Sequence, residues 1–183
     1  MFKKFDIVTD ENPLLRRKCE KVATPISDED KQLALDMLEY VKGSQDDKIV
    51  EEYGVRPGIG LAAPQIGILK RIIAIHLEDD DKVHSYALIN PELVSYSVQI
   101  SYLDSGEGCL SVPKDVEGYV YRCKKVTDKG YDALTDKEVT IKAKGMLSIA
   151  LQHELDHLMG VLYYDRINKK EPFAILKGAE VVE

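Results

Sequence analysis

Between residues 27 and 43 the apolar positions Ala34, Met37, Leu38 and Val41 recur every three or four residues among charged neighbours. This pattern predicts an amphipathic helix with one face on the core. Ser27 is placed to cap it, Asp30 follows three residues later as in a capping box, and Gly43 ends it. A second stripe, Leu147, Leu151, Leu155 and Leu158, lies between Gly145 and Gly160 and predicts another helix, with Gly160 as its stop. The rest is written in strand-like runs. Residues 71–77 and 86–89 read as buried strands flanking the acidic, solvated turn at 78–82, and 93–103, 116–131 and 138–143 read as further strands, with 134–137 turning between the last two. The tail, VLYYDRI and then FAILKGAEVV, is also strand-like, and the segment up to Thr24 reads as an extended arm packed on the body. Residues 43–57, GSQDDKIVEEYGVRP, are polar, acidic and without sustained period, which predicts a surface insertion. The class that follows is α+β: antiparallel or mixed sheets around a central helix, in one domain spanning 1–183.

Composition narrows the function classes. A chain of 183 residues, 44% hydrophobic and 31% charged, has the size of one globular domain. The formal charge of -7, from 25 basic and 32 acidic residues without a long basic run, disfavours nucleic acid as a partner. Three widely spaced cysteines, Cys19, Cys109 and Cys123, do not form a disulfide framework and fit a reducing cytoplasm. Apolar runs stop at four residues, far short of the roughly 20 a membrane helix needs. No apolar stretch follows Lys3 and Lys4, so no secretory leader is expected.

The sharpest chemical signal is His153-Glu154-Leu155-Asp156-His157. Helical residues four apart share a face, so His153 and His157 can reach one metal ion, while Glu154, turned about 100° away, can touch water beside it. A catalytic site also needs a third protein ligand and an open position. No histidine follows His157, and Asp165, Glu171 and Glu180 are the acidic candidates downstream. Upstream, Cys109 lies in Glu107-Gly108-Cys109-Leu110-Ser111, where Gly108 allows a tight bend; a Cys-His₂ set with one open position suits a catalytic Zn²⁺ or Fe²⁺. A zinc endoprotease with Glu171 or Glu180 as third ligand is a rival reading. A binding module with a purely structural metal is another, although it lacks a good fourth ligand.

Three segments together resemble the peptide deformylases, which remove the N-formyl group from newly made bacterial proteins: Gly58-Ile59-Gly60-Leu61-Ala62-Ala63-Pro64-Gln65, then Glu107 to Ser111, then Gln152 to His157. All three match the family's signatures in the family's order. The polar insertion and the short tail resemble the Gram-positive, type 2 branch. The resemblance implies that Cys109, His153 and His157 bind the metal, that Glu154 is the general acid and base, and that the Gln65 amide and the Leu110 N–H stabilise the oxyanion. It implies Fe²⁺ as the native ion, with Zn²⁺, Ni²⁺ or Co²⁺ acceptable to the same donors. The implied partners are N-formylmethionyl nascent peptides, and transient ribosome association follows only from where such chains emerge. A monomer is the default.

Counting back along the helix from His153 gives Ala150, Ile149 and Met146, apolar residues able to line a pocket for an unbranched methionine side chain, completed by Ile59 and Gly60. Glu107 is expected to pair with Arg122 beside the metal site. Asp156 faces elsewhere and is assigned a structural ion pair or hydrogen bond. His76, His84, Cys19 and Cys123 are read as packing or surface residues.

Overall fold

The structure, a computed structural model, describes residues 2–79 and 81–182. Met1 and Glu183 at the ends of the expected domain, and Asp80 in the expected turn, lie outside the described residues. Helix α1 (Asp28–Gly43) starts as its sequence requires: the Ser27 hydroxyl accepts from the Asp30 N–H at 3.1 Å, and the first turn is acidic. A short helix α2 (Asp47–Tyr53), capped by Asp46 and closed by Gly54, lies within the segment expected to be irregular. Strands β1 (Gly60–Ala62), β2 (Ile72–Asp79) and β3 (Lys82–Tyr96) follow. After β4 (Ile100–Leu103) the chain loops through the Cys109 region to β5 (Arg122–Cys123), β6 (Lys125–Asp132) and β7 (Lys137–Lys144). Helix α3 (Gly145–Leu158) and the terminal strand β8 (Glu180–Val182) complete the order.

The main sheet runs β1-β2-β3-β6-β7 with every neighbouring pair antiparallel. Two helices cover its two faces. Ile72, Ala74, Ala87 and Ile89 pack with the α1 residues Ala34, Met37, Leu38 and Val41; Ile73, Ile75, Leu77 and Leu88 pack with Leu147, Ala150, Leu151 and Leu158 of α3. That double burial explains why β2 is written as an unbroken apolar run rather than as an alternation. Gly160 (φ 74°) lets the chain leave α3 against the backbone of Arg16, where a Cβ would collide. The second sheet, β5-β4-β8, is mixed, with β4 and β8 parallel.

Some expectations about strands and turns need correction. The stretch 93–103 is divided between the end of β3 and β4, and 116–131 is irregular until Arg122. The tail is mostly not strand: Tyr163–Arg166 form a 3-10 turn, and only Glu180–Val182 pair in a sheet. Its side chains serve local ties, such as the Tyr121 hydroxyl donating to the Ala174 carbonyl at 2.6 Å, and pattern alone does not distinguish these from a sheet face. The segment 43–57, expected as a surface insertion, holds α2 and is exposed at most positions, with Ser44 and Val55 buried; its exposed residues Gln45, Arg56 and Pro57 line the cavity described next. Helix α1 lies where the sequence put it, whereas the turn expected over 78–82 is shorter, since Glu78 and Asp79 of β2 still pair with Val83 and Lys82 of β3.

Candidate active site

Helix α3 brings His153 and His157 together, with ring centroids 5.1 Å apart. The loop between β4 and β5 delivers Cys109, whose Sγ lies 3.2 Å from Nε2 of His157. One ligand atom from each of these three residues lies within 4.8 Å of the other two. Cys109 and His157 are buried, and the His153 side chain is 11% exposed. The His153 Nδ1–H donates to Oε2 of Glu107 at 2.8 Å, which fixes the tautomer and leaves Nε2 free as a donor atom.

The donor set fits a divalent cation on chemical grounds. One thiolate and two imidazoles suit zinc or ferrous iron. Burial opposes charge on His153, yet Cys109 and Glu107 outweigh it and hold this imidazole well above its ordinary pKa, so a cation bound at Nε2 would have to displace a proton and would meet the same negative surroundings. Burial, reinforced by His153 and Arg122, keeps His157 well below its ordinary value, in the neutral form a ligand needs. Glu171 and Glu180 are exposed, and Glu180 pairs with Lys124. Asp165 pairs with Arg16. Among the described residues, therefore, no downstream carboxylate joins the cluster.

Behind the histidines the expected Glu107–Arg122 pair is present as a two-pronged bond, Nε to Oε1 and Nη2 to Oε2, both 2.8 Å. The third arm of the guanidinium reaches Asp156 Oδ2 at 2.5 Å, and Arg166 grips the same carboxylate at 2.6 Å. Asp156 thus has the structural ion pairs expected of it. Burial pushes the Glu107 carboxyl upward, but Arg122 and His153 overcome that push and hold it at about 2.

Glu154 stands beside the cluster in a contrasting environment. Its side chain is buried, Oε2 has no hydrogen-bond partner among the described residues, and burial raises its pKa to about 7 against the pull of His153 and Arg122. The close packing explains one glycine: a Cβ at Gly60 would overlap Oε1 of Glu154. Gln65, at the end of the glycine-rich loop, is also buried; Oε1 accepts from the Ala62 N–H at 2.8 Å, while Nε2 points at Cys109 Sγ (3.4 Å) and Ser111 Oγ (3.2 Å). The Leu110 N–H is engaged by no other described residue.

These groups open on a cavity of about 440 Å³. Its lining includes the residues expected to act on or hold the substrate: Ile59, Gly60, Gln65, Leu110, Met146, Ile149, Ala150 and Glu154. His157 sits behind Cys109 rather than on the wall. Sequence reasoning missed Gln45, Arg56 and Leu103 on the wall, and the Ser111 hydroxyl holding Gln65. Gln45 bridges the carbonyls of Gly58 and His76, and Arg56 donates to the carbonyls of Cys109 and Val112. Only Ser111 stood inside a recognisable motif. Among the remaining histidines, His76 bonds Ser85 and His84 stacks on Tyr86, and neither belongs to the donor cluster; Cys19 and Cys123 are half-buried packing residues.

Comparison with known proteins gives concordant results. The family model described as Polypeptide deformylase matches residues 4–173. The chain is 51% identical over 175 residues to "Peptide deformylase 2" of Geobacillus stearothermophilus, covering 95% of each chain. It is 49% identical over 179 residues to the protein of that name in Bacillus subtilis strain 168, covering 97% of each. The crystal structure of peptide deformylase from Ehrlichia chaffeensis superposes with a TM-score of 0.76 at 30% identity, over 93% of this chain and 91% of that one.

Proposed function

This chain belongs to the peptide deformylase family, in its Gram-positive type 2 branch, and from that premise we propose that it hydrolyses the N-formyl group of peptides beginning with formylmethionine and releases formate. The observation that carries the mechanism is the buried carboxylate oxygen of Glu154, unpartnered among the described residues, beside a Cys-His₂ cluster on the wall of an apolar cavity. Cys109, His153 and His157 would hold one divalent cation, Fe²⁺ natively with Zn²⁺, Ni²⁺ or Co²⁺ as substitutes, which supplies Lewis acidity that makes water more acidic and the formyl carbonyl more electrophilic.

The protein's own groups do the rest. Glu154 Oε2 takes a proton from the attacking water as the new C–O bond forms at the formyl carbon. The Gln65 amide and the Leu110 N–H donate to the carbonyl oxygen as it gains charge. Glu154 then passes its proton to the amine nitrogen as the C–N bond breaks, leaving formate and a free N-terminus. The methionine side chain lies against Ile59, Gly60, Met146, Ile149 and Ala150, where an adaptable apolar wall suits an unbranched thioether. A single catalytic domain, with 43–57 inserted in it, works as a cytoplasmic monomer on chains leaving the ribosome. Among the described residues no helix is long and apolar enough to cross a membrane.

Gly60→Ala tests the fit between the glycine-rich loop and Glu154. The added methyl displaces the carboxylate, and the expected result is a fall in kcat of roughly 100-fold with the melting temperature within a few degrees; unchanged kcat would remove Gly60 from the site. Cys109→Ala separates this reading from the endoprotease. The expected result is loss of bound metal and of formate release together. A variant that kept its metal and cleaved internal peptide bonds would overturn the assignment.

A further inference from the structure

The two proposed oxyanion donors, the Gln65 amide and the Leu110 N–H, come from segments far apart in the chain, and the expected extended arm lies across both. The Val8 N–H donates to the Gln65 carbonyl and the Asp10 N–H to the Ser111 carbonyl, both at 2.8 Å. In an extended chain, N–H groups two residues apart point the same way, so this pair spans the two segments like consecutive rungs. The arm is fastened on either side of the rungs. Phe2 and Phe5 pack on Tyr40 of α1, and the Asp10 carboxylate accepts from the Tyr164 hydroxyl at 3.1 Å, which accepts from Arg16.

We propose that Val8–Asp10 is a positioning strap: its two main-chain N–H groups set the spacing between the Gln65 amide and the Leu110 N–H, and so align the oxyanion site. The inference rests on the deformylase reading of that site. On the side away from the strap, the Gln65 amide meets the Ser111 hydroxyl at 3.2 Å, so the two segments touch through side chains while the arm ties their main chains. A shift of either segment moves one donor relative to the other. Donor placement of this kind governs rate far more than it governs substrate affinity.

Cys19 is a native junction for rebuilding the full chain from a synthetic 1–18 thioester and an expressed 19–183 fragment. Chains carrying an ester in place of the Val8 or the Asp10 amide lose one rung and no side chain. The expected result is a kcat for formyl-Met peptides lowered about tenfold by the Val8 ester and further by the pair, with KM within about twofold and bound metal unchanged. An ester at Thr9, whose N–H bonds no described residue, keeps full kcat. Val8→Pro, made by ordinary mutagenesis, removes the same N–H and behaves like the Val8 ester. In a Gln65→Ala background the Val8 ester loses most of its effect, because the donor it aligns is gone. Ester chains that melt a few degrees lower but keep wild-type kcat would overturn the strap, as would effects fully additive with Gln65→Ala. A rebuilt, metal-loaded, folded wild-type chain that released no formate would instead overturn the deformylase reading, and the strap with it.

Discussion

Glu154→Gln is expected to lower kcat for formyl-Met peptides by about a thousandfold, the middle of the range for removing a positioned acid-base group, while metal content stays at wild-type level. The amide keeps the shape of the carboxylate but cannot accept the proton that water must lose. Stability should hold or rise slightly. The wild-type carboxylate is buried, with Oε2 unpartnered among the described residues and its pKa pushed by burial to about 7, which marks a group kept for chemistry at some cost to the fold. Formate release under saturating substrate, together with metal analysis and thermal melting, reads all three quantities. A variant within tenfold of wild type would place the proton transfer elsewhere.

Arg122→Ala should have the largest effect on stability, because the guanidinium sits among carboxylates with almost no exposure. Its side chain is 2% exposed, and it bonds both oxygens of Glu107 and one of Asp156. Asp156 retains Arg166, whereas Glu107 is left with the His153 ring. Breaking a buried pair from one side costs about 3–5 kcal/mol, on the order of 10 °C in melting temperature for a chain of this size. Metal affinity should fall roughly 10- to 100-fold, since Glu107 orients the His153 ring. The pH dependence has a definite sign. Glu107 is held at about 2 against an ordinary 4.5, so it contributes roughly 3 kcal/mol that is fully present above pH 4.5 and lost as pH falls toward 2. The gap between wild type and variant should therefore narrow over that interval in urea titrations. A gap constant with pH would show that Arg122 acts by packing alone.

Local signals explain what was legible in the sequence. The α1 stripe, the Ser27 cap and the leucine stripe of α3 each follow from short-range periodicity, and α3 fixes the relation of His153, Glu154 and His157 by itself. Cys109 was reachable because a cysteine between tight-turn residues is unusual and the helix supplied only two ligands. What escaped depends on non-local packing. Arg56 and Gln45 act through carbonyls of distant segments, and nothing in GSQDDKIVEEYGVRP marks those two side chains. The tail failed for a related reason: Tyr163 is buried and its hydroxyl accepts from the Val116 N–H, an aromatic anchor in a 3-10 turn that a β-propensity reading takes for strand. The Val8–Asp10 contacts are main-chain bonds, to which side-chain identity gives no clue.

The measurement that bears most directly on the central claim is formate release from a formyl-Met tripeptide by the wild-type chain loaded anaerobically with Fe²⁺, beside the acetyl-Met analogue and an internally blocked peptide. The account predicts rapid release from the formyl peptide and none of the corresponding hydrolysis from either control. A folded, metal-loaded protein that left the formyl peptide intact, or that cleaved the blocked peptide internally, would contradict it.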